Sequence, residues 1–336
     1  MQVAGQPYAI ESINGDRITL LKQQAQGDGP VNWVAVPDSS FGTTQINGVA
    51  FGNNTWVAVG QRGSIAYSSD GRSWTAVPAG TNAGQSQFPA SAYDNINGVA
   101  FGNNTFIAVG QRGGIAYSTD GRTWTRVADS NNGGFPTITQ AGISAVAYGN
   151  GRFVAVGNGG RTAYSTDGRT WTAVDATGAF GTSSNNIYGV AFANNRFVAI
   201  GIGKTATSTN GSSWTAGTNT SFSYLHGIAF GSNRWVIAGN GGRMGYSTDG
   251  AAWTSVPQAN NGGFSPGTDI YGVGFGNNRF VAGSERGQMA YSTDGASWTA
   301  VANTTFAGNI VIRAVAYGNG RFVAVGTGGR MAYCDW

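Results

Sequence analysis

Three sets of side chains recur through this 336-residue chain at positions where they could do chemistry. The first is a series of cations, Arg62, Arg112, Arg161, Lys204, Arg243, Arg286 and Arg330, each close behind an apolar run and beside glycine. The second is a phenylalanine in each less regular stretch, at Phe41, Phe88, Phe135, Phe180, Phe222, Phe264 and Phe306. The third is a polar position that follows an Ile or Leu and varies among the copies: Asn47, Asn97, Ser144, Tyr188, His226, Tyr271 and Arg313. Guanidinium and amide groups hydrogen-bond hydroxyls and pair with anions, and an aromatic ring covers an apolar sugar face. This is chemistry for holding a polar ligand.

Chemistry for breaking one is missing from the sequence. There is a single histidine (His226), a single cysteine (Cys334), and only Glu11 and Glu285 as glutamates. No disulfide framework, His/Cys metal set, nucleophile–base pair or opposed carboxylate pair emerges. The expectation is a non-enzyme with no cofactor and no metal. The net charge of +4 comes almost wholly from Arg, with Lys only at 22 and 204. Arginines scattered in this way do not make a nucleic-acid stripe, so no nucleic-acid partner is expected. No apolar run approaches the ~18 residues of a membrane span. The opening MQVAGQPYAIESINGDR has neither the basic nor the apolar region of a classical signal peptide. The reading is a soluble protein, with an extracellular, virion or cell-surface setting left open.

These side chains sit on a repeat. Ala145–Val174, AVAYGNGRFVAVGNGGRTAYSTDGRTWTAV, recurs seven times around Phe51, Phe101, Tyr148, Phe192, Phe230, Phe275 and Tyr317. In six copies a Trp follows at one separation, as Trp74 follows Phe51, except that the fourth copy (Trp214) is one residue shorter. Each copy reads as four strands. Ile46–Phe51 ends in a Gly-Asn-Asn hairpin turn. Phe153–Val156 is continuously apolar and so covered on both faces. Thr162–Ser165 follows a glycine-rich turn, and Trp171–Val174 starts at the Trp. With 56 glycines, 12% aromatic and 10% charged residues, the chain reads as all-β: a seven-bladed β-propeller of four-stranded antiparallel blades. The seventh copy stops at Trp336 without a fourth strand, while Trp33-Val-Ala-Val-Pro37 matches Trp74-Thr-Ala-Val-Pro78. The N-terminal segment should therefore supply the outer strand of the last blade and close the ring. Residues 1–30 stand outside the repeat, as a hairpin around Asn14-Gly15 followed by a polar tether. Residues 31–336 form the propeller.

The repeated Ser-x-Asp-Gly-x-x-Trp, at Ser68/Asp70/Trp74, Ser118/Asp120/Trp124, Ser165/Asp167/Trp171, Ser247/Asp249/Trp253 and Ser292/Asp294/Trp298, resembles the Asp-box (BNR) repeat of sialidase-like β-propellers. It is one residue tighter than the usual box. The fourth copy has Asn210 for Asp, and the seventh has Cys334 for Ser. The resemblance implies that these aspartates shape a turn between the third and fourth strands. It does not extend to the sialidase site, whose arginine triad and Tyr–Glu pair find no match here.

Strand parity puts the turns between strands 2 and 3, with their cations, on the same face as the variable links from strand 4 to the next strand 1, with their phenylalanines. Variation is confined to that face, so recognition is expected there. The leading expectation is a multivalent, lectin-like propeller binding glycans or glycoconjugates through Arg62, Arg112, Arg161, Arg243, Arg286 and Arg330, through Phe41, Phe88, Phe135, Phe180, Phe264 and Phe306, and through Tyr188, His226 and Tyr271. Blander roles compete. The phenylalanines could plug gaps between blades, the cations could pair with Asp38, Asp94, Asp129, Asp175 and Asp269, and His226 could line a channel mouth passively. The alternatives are a protein–protein scaffold, as in Asp-box assembly factors of photosynthetic membranes, or a receptor-binding module of a phage or bacterial surface. Oligomeric state is left open.

Overall fold

A computed structural model describes residues 8–14, 17–22, 32–78, 95–137, 142–181, 185–218, 222–306 and 308–336. Seven four-stranded antiparallel sheets form the blades of a closed propeller. Blade 1 is typical, with strands Ile46–Gly52, Thr55–Gly60, Ile65–Ser68 and Thr75–Ala76. Strand 2 reads as a continuous apolar run because neighbouring blades cover both its faces. Trp56, Val57, Ala58 and Val59 are all fully buried. Closure follows the sequence expectation: Val34–Ala35 pairs antiparallel with Met331–Asp335 and completes blade 7. Tyr8–Asn14 and Arg17–Lys22 pair as a separate two-stranded sheet.

Blades are held together by apolar clusters that cross each seam. One brings Ile107, Val109 and Ile115 of blade 2 against Phe153, Ala155 and Trp171 of blade 3. The box Trp is therefore a wedge between blades. At the inner edge, the ring of six of the seven anchors lies over a glycine of the preceding blade, and blade 4 has Ala193 at that position. A Cβ on Gly52 would come within 2.0 Å of the Phe101 ring, and Gly318 meets Phe51 in the same way across the closure. At those six seams a missing side chain lets the blades approach so closely.

The box turn is a compact hydrogen-bonded unit. The Ser165 hydroxyl donates to Asp167 Oδ1 (2.9 Å) and accepts from Gly168 N–H (2.8 Å). Oδ1 of Asp167 also accepts from the N–H groups of Arg169 (2.8 Å) and Thr170 (2.9 Å). Gly168 sits at φ +72°, where a side chain would be strained. Asn210 reproduces the pattern in blade 4, accepting from Ser212 and Ser213 N–H at 2.9 and 3.0 Å. Partial burial pushes the Asp167 carboxyl up. The bonds from Thr170, Arg169 and Ser165 outweigh it and leave the pKa below the usual carboxylate value.

Arginines on the box face brace the seams. Arg152, Arg196 and Arg234 donate to the carbonyls of Asn210, Asp249 and Asp294 in the next blade, and Arg321 does the same to Asp70. Arg122 and Arg169 lie over Tyr67 and Tyr117 of the preceding blade at 4.9 and 5.0 Å. At the closure Arg72 and Arg321 both bond Asp335 and both lie over Tyr333.

Candidate functional site

In every blade the first strand begins with a β-bulge. The register with strand 2 shifts between Ile46 and Gly48, Ile96 and Gly98, Ile143 and Ala145, Ile187 and Gly189, Leu225 and Gly227, Ile270 and Gly272, and Ile312 and Ala314. The extra residue is each time the variable polar one: Asn47, Asn97, Ser144, Tyr188, His226, Tyr271 and Arg313. A bulge re-aims a side chain relative to the pleat. Here seven bulges deliver seven side chains of five types to one cavity of about 520 Å³, whose wall they form with the two residues that follow each of them. The repeat thus builds a cavity of near-sevenfold backbone symmetry and lines it with side chains that do not follow that symmetry.

The lining is polarised. Asn47 and Asn97 each donate an amide N–H to a main-chain carbonyl of the next blade, Ile96 (2.8 Å) and Ile143 (2.9 Å). Opposite them runs an arc of rings. Tyr188 lies 5.7 Å from His226, His226 stacks on Tyr271 at 4.6 Å and 29°, and the Arg313 guanidinium sits 4.6 Å over Tyr271. Tyr224, 46% exposed, continues the stack outward from His226. Burial lowers the His226 pKa and the nearby Arg313 charge adds to this, while Asp269, 3.8 Å away, opposes both. His226 is therefore held toward its neutral form. Burial also lowers the Arg313 pKa and raises that of the Tyr271 hydroxyl.

The other expected site residues fall elsewhere. Phe41, Phe135, Phe180, Phe264 and Phe306 are at most 5% exposed. Each belongs to the apolar cluster of a seam, as Phe135 does beside Ile143 and Trp171. This corrects their expected role: the rings plug the gaps between blades and have no face to offer a ligand. Phe222 is buried likewise, and Phe88 lies outside the described residues. Asn132 and Asn261 explain how two links deliver their ring. Each buried side-chain amide clips the main chain of Phe135 or Phe264 to that of the turn at Gly113 or Gly242.

The turn cations surround the pocket face but are not equivalent. Arg62, Arg112 and Arg286 occupy a left-handed turn position (φ 56°, 52° and 65°). In blades 3, 5 and 7 Gly159, Gly241 and Gly328 hold that position, and Arg161, Arg243 and Arg330 stand two residues later in extended backbone. Lys204 donates to the Phe180 carbonyl at 3.0 Å. The described link acids have bonds of their own. Asp38 and Asp175 cap their own turns, Asp129 pairs with Arg126, Asp269 accepts from Gly241 N–H, and Asp94 is outside the described residues. Among the described residues, the side chains of Arg62, Arg161, Arg286 and Arg330 make no hydrogen bond or ion pair.

Neither a family model nor a curated protein matches the chain in sequence. Solved structures match its fold. YCF48 bound to a D1 peptide superposes with a TM-score of 0.68 at 17% identity, over 92% of this chain and 96% of that one. YCF48 from Cyanidioschyzon merolae gives 0.64 at 20%, over 90% and 98%. A catalytically inactive virginiamycin B lyase from Staphylococcus aureus, with quinupristin, gives 0.68 at 9%, over 91% and 99%. At these identities the likeness is one of fold. Among the described residues no group of His, Cys, Asp and Glu is placed to hold a metal, and no helix is long and apolar enough to cross a membrane.

Proposed function

We propose that the chain is a non-catalytic binding propeller that holds one peptide segment of a partner protein in the axial pocket. The observation carrying this is the convergence of the seven bulge residues. The scaffold repeats, the lining does not, and a site of five side-chain types in an irregular order suits one asymmetric ligand better than seven copies of a small one. A bulge sets its extra residue outside the ladder pairing, which favours a ligand with main-chain donors and acceptors of its own. The unpaired arginines of the surrounding turns add a positive rim that would draw in an acidic partner. A propeller of the same fold, YCF48, has a D1 peptide bound, which makes the peptide reading the natural one to test.

A saccharide is the second reading, and the stacked arc Tyr188–His226–Tyr271 favours it. With the link phenylalanines buried and the turn cations in two registers, that reading too moves from seven peripheral clefts to the one pocket. The resemblance to Asp-box propellers rests on the repeated turn alone. The test is retention on the immobilised full chain of a random linear peptide pool and, separately, of an oligosaccharide panel. Peptides should be retained, and Ser144→Trp, which fills the cavity from one wall, should abolish this. Retention of saccharides alone would replace the first reading with the second.

A further inference from the structure

Among the described residues lining the axial pocket, Arg313 is the one Asp, Glu, Lys or Arg. Its guanidinium lies on Tyr271, and its buried Nε has no hydrogen-bond partner. Among the described residues no acid bonds it. Asp269 accepts from Gly241 N–H and lies 3.8 Å from His226, and Glu285 accepts from Asp269 N–H at 3.3 Å. The Glu285 carboxylate acts on it only through space, and a half-buried cation with no hydrogen-bonded counter-ion is costly to maintain. A fork of planar donors held against a ring, beside a largely neutral histidine, is prepared for a planar anion.

We infer that Arg313 is the specificity residue of the pocket and takes a carboxylate of the bound peptide, with the group bearing that carboxylate packed against Tyr271 and His226. The inference rests on the peptide reading above. Its chemistry is carboxylate recognition, and two sources could supply the group: the carboxyl terminus of a chain, or an Asp or Glu side chain within it. A carboxylate accepts two parallel N–H bonds from the guanidinium, and Tyr271 fixes the plane of the fork. Arg→Lys at this position keeps the charge but not the fork.

The experiment offers the full chain four random octapeptide pools: free or amidated at the C-terminus, each with or without Asp and Glu. Retained peptides are quantified by mass spectrometry. Carboxylate-bearing pools should be enriched at least tenfold over the amidated pool without acids. Loss of enrichment on amidation alone assigns a chain end, and loss on removing Asp and Glu assigns a side chain. Arg313→Gln should erase the preference and Arg313→Lys should keep only part of it, with thermal unfolding showing both variants folded. Equal retention of all four pools, or an unchanged preference in Arg313→Gln, overturns the inference while leaving peptide binding intact. Retention of no pool overturns both. Retention of an oligoglucuronate instead of any pool assigns the site to a sugar acid and also overturns it.

Discussion

Replacing Asp167 separates the structural role of the box from any role in binding. Its Oδ1 accepts three hydrogen bonds within the turn, from Ser165, Arg169 and Thr170. Asp167→Ala removes all three. The freed N–H groups lie at the surface, where water can satisfy them, so the cost belongs at the lower end for such bonds, about 1–2 kcal/mol in total. Asp167→Asn should cost only ~0.5 kcal/mol, because Asn210 already makes the same bonds in blade 4. The carboxylates of Asp70, Asp120, Asp167, Asp249 and Asp294 all have folded pKa values below normal. Their stabilisation is complete above the unfolded value of about 4 and is lost as pH falls through the folded values. Asp167→Asn should therefore lose less stability than the parent on acidification below about pH 4. Urea unfolding midpoints at pH 7 and in that acid range decide it. An Asn variant as damaged as Ala at pH 7, or as acid-labile as the parent, would refute this account of the turn.

Three further outcomes follow from the packing. Deleting residues 1–37 removes buried Trp33 and Val36 and uncovers the edge at Tyr333, so the truncated chain should aggregate on size-exclusion chromatography. Arg321→Ala loses contacts to Asp70, Asp335 and Tyr333 and should lower the melting midpoint, whereas Arg161→Ala should change stability by less than ~0.5 kcal/mol. Cys334 is buried and its thiol is pushed up to about 11. Iodoacetamide at pH 8 should label it only after denaturant is added.

The fold was legible because its signals are repeated. Hairpin turns of the Gly-Asn-Asn kind, apolar second strands and box tryptophans each recur at fixed spacing, and the unmatched strand at Trp33–Pro37 announced the closure. The site was legible only in part. The bulge is a one-residue change in strand pairing, visible in sequence merely as a polar residue where the strand should be apolar. That marked Asn47 and its counterparts as unusual without showing that all seven share a cavity. A phenylalanine in an irregular link carries no periodicity to say which way it faces, so Phe135 and Phe264 looked as available for a ligand as Tyr271. The two registers of the turn cations were readable in the order Arg-Gly at 62–63 against Gly-Arg at 160–161. Treating the seven as one ring passed over that difference.

The central claim is one ligand on the axis, and stoichiometry tests it most directly. The tightest peptide recovered from the pools should titrate calorimetrically to one site per chain, with Ser144→Trp abolishing the heat and Arg161→Ala leaving the site number unchanged. Several sites per chain, unaffected by Ser144→Trp and reduced one at a time by Arg161→Ala or Arg330→Ala, would contradict it and return recognition to the rim.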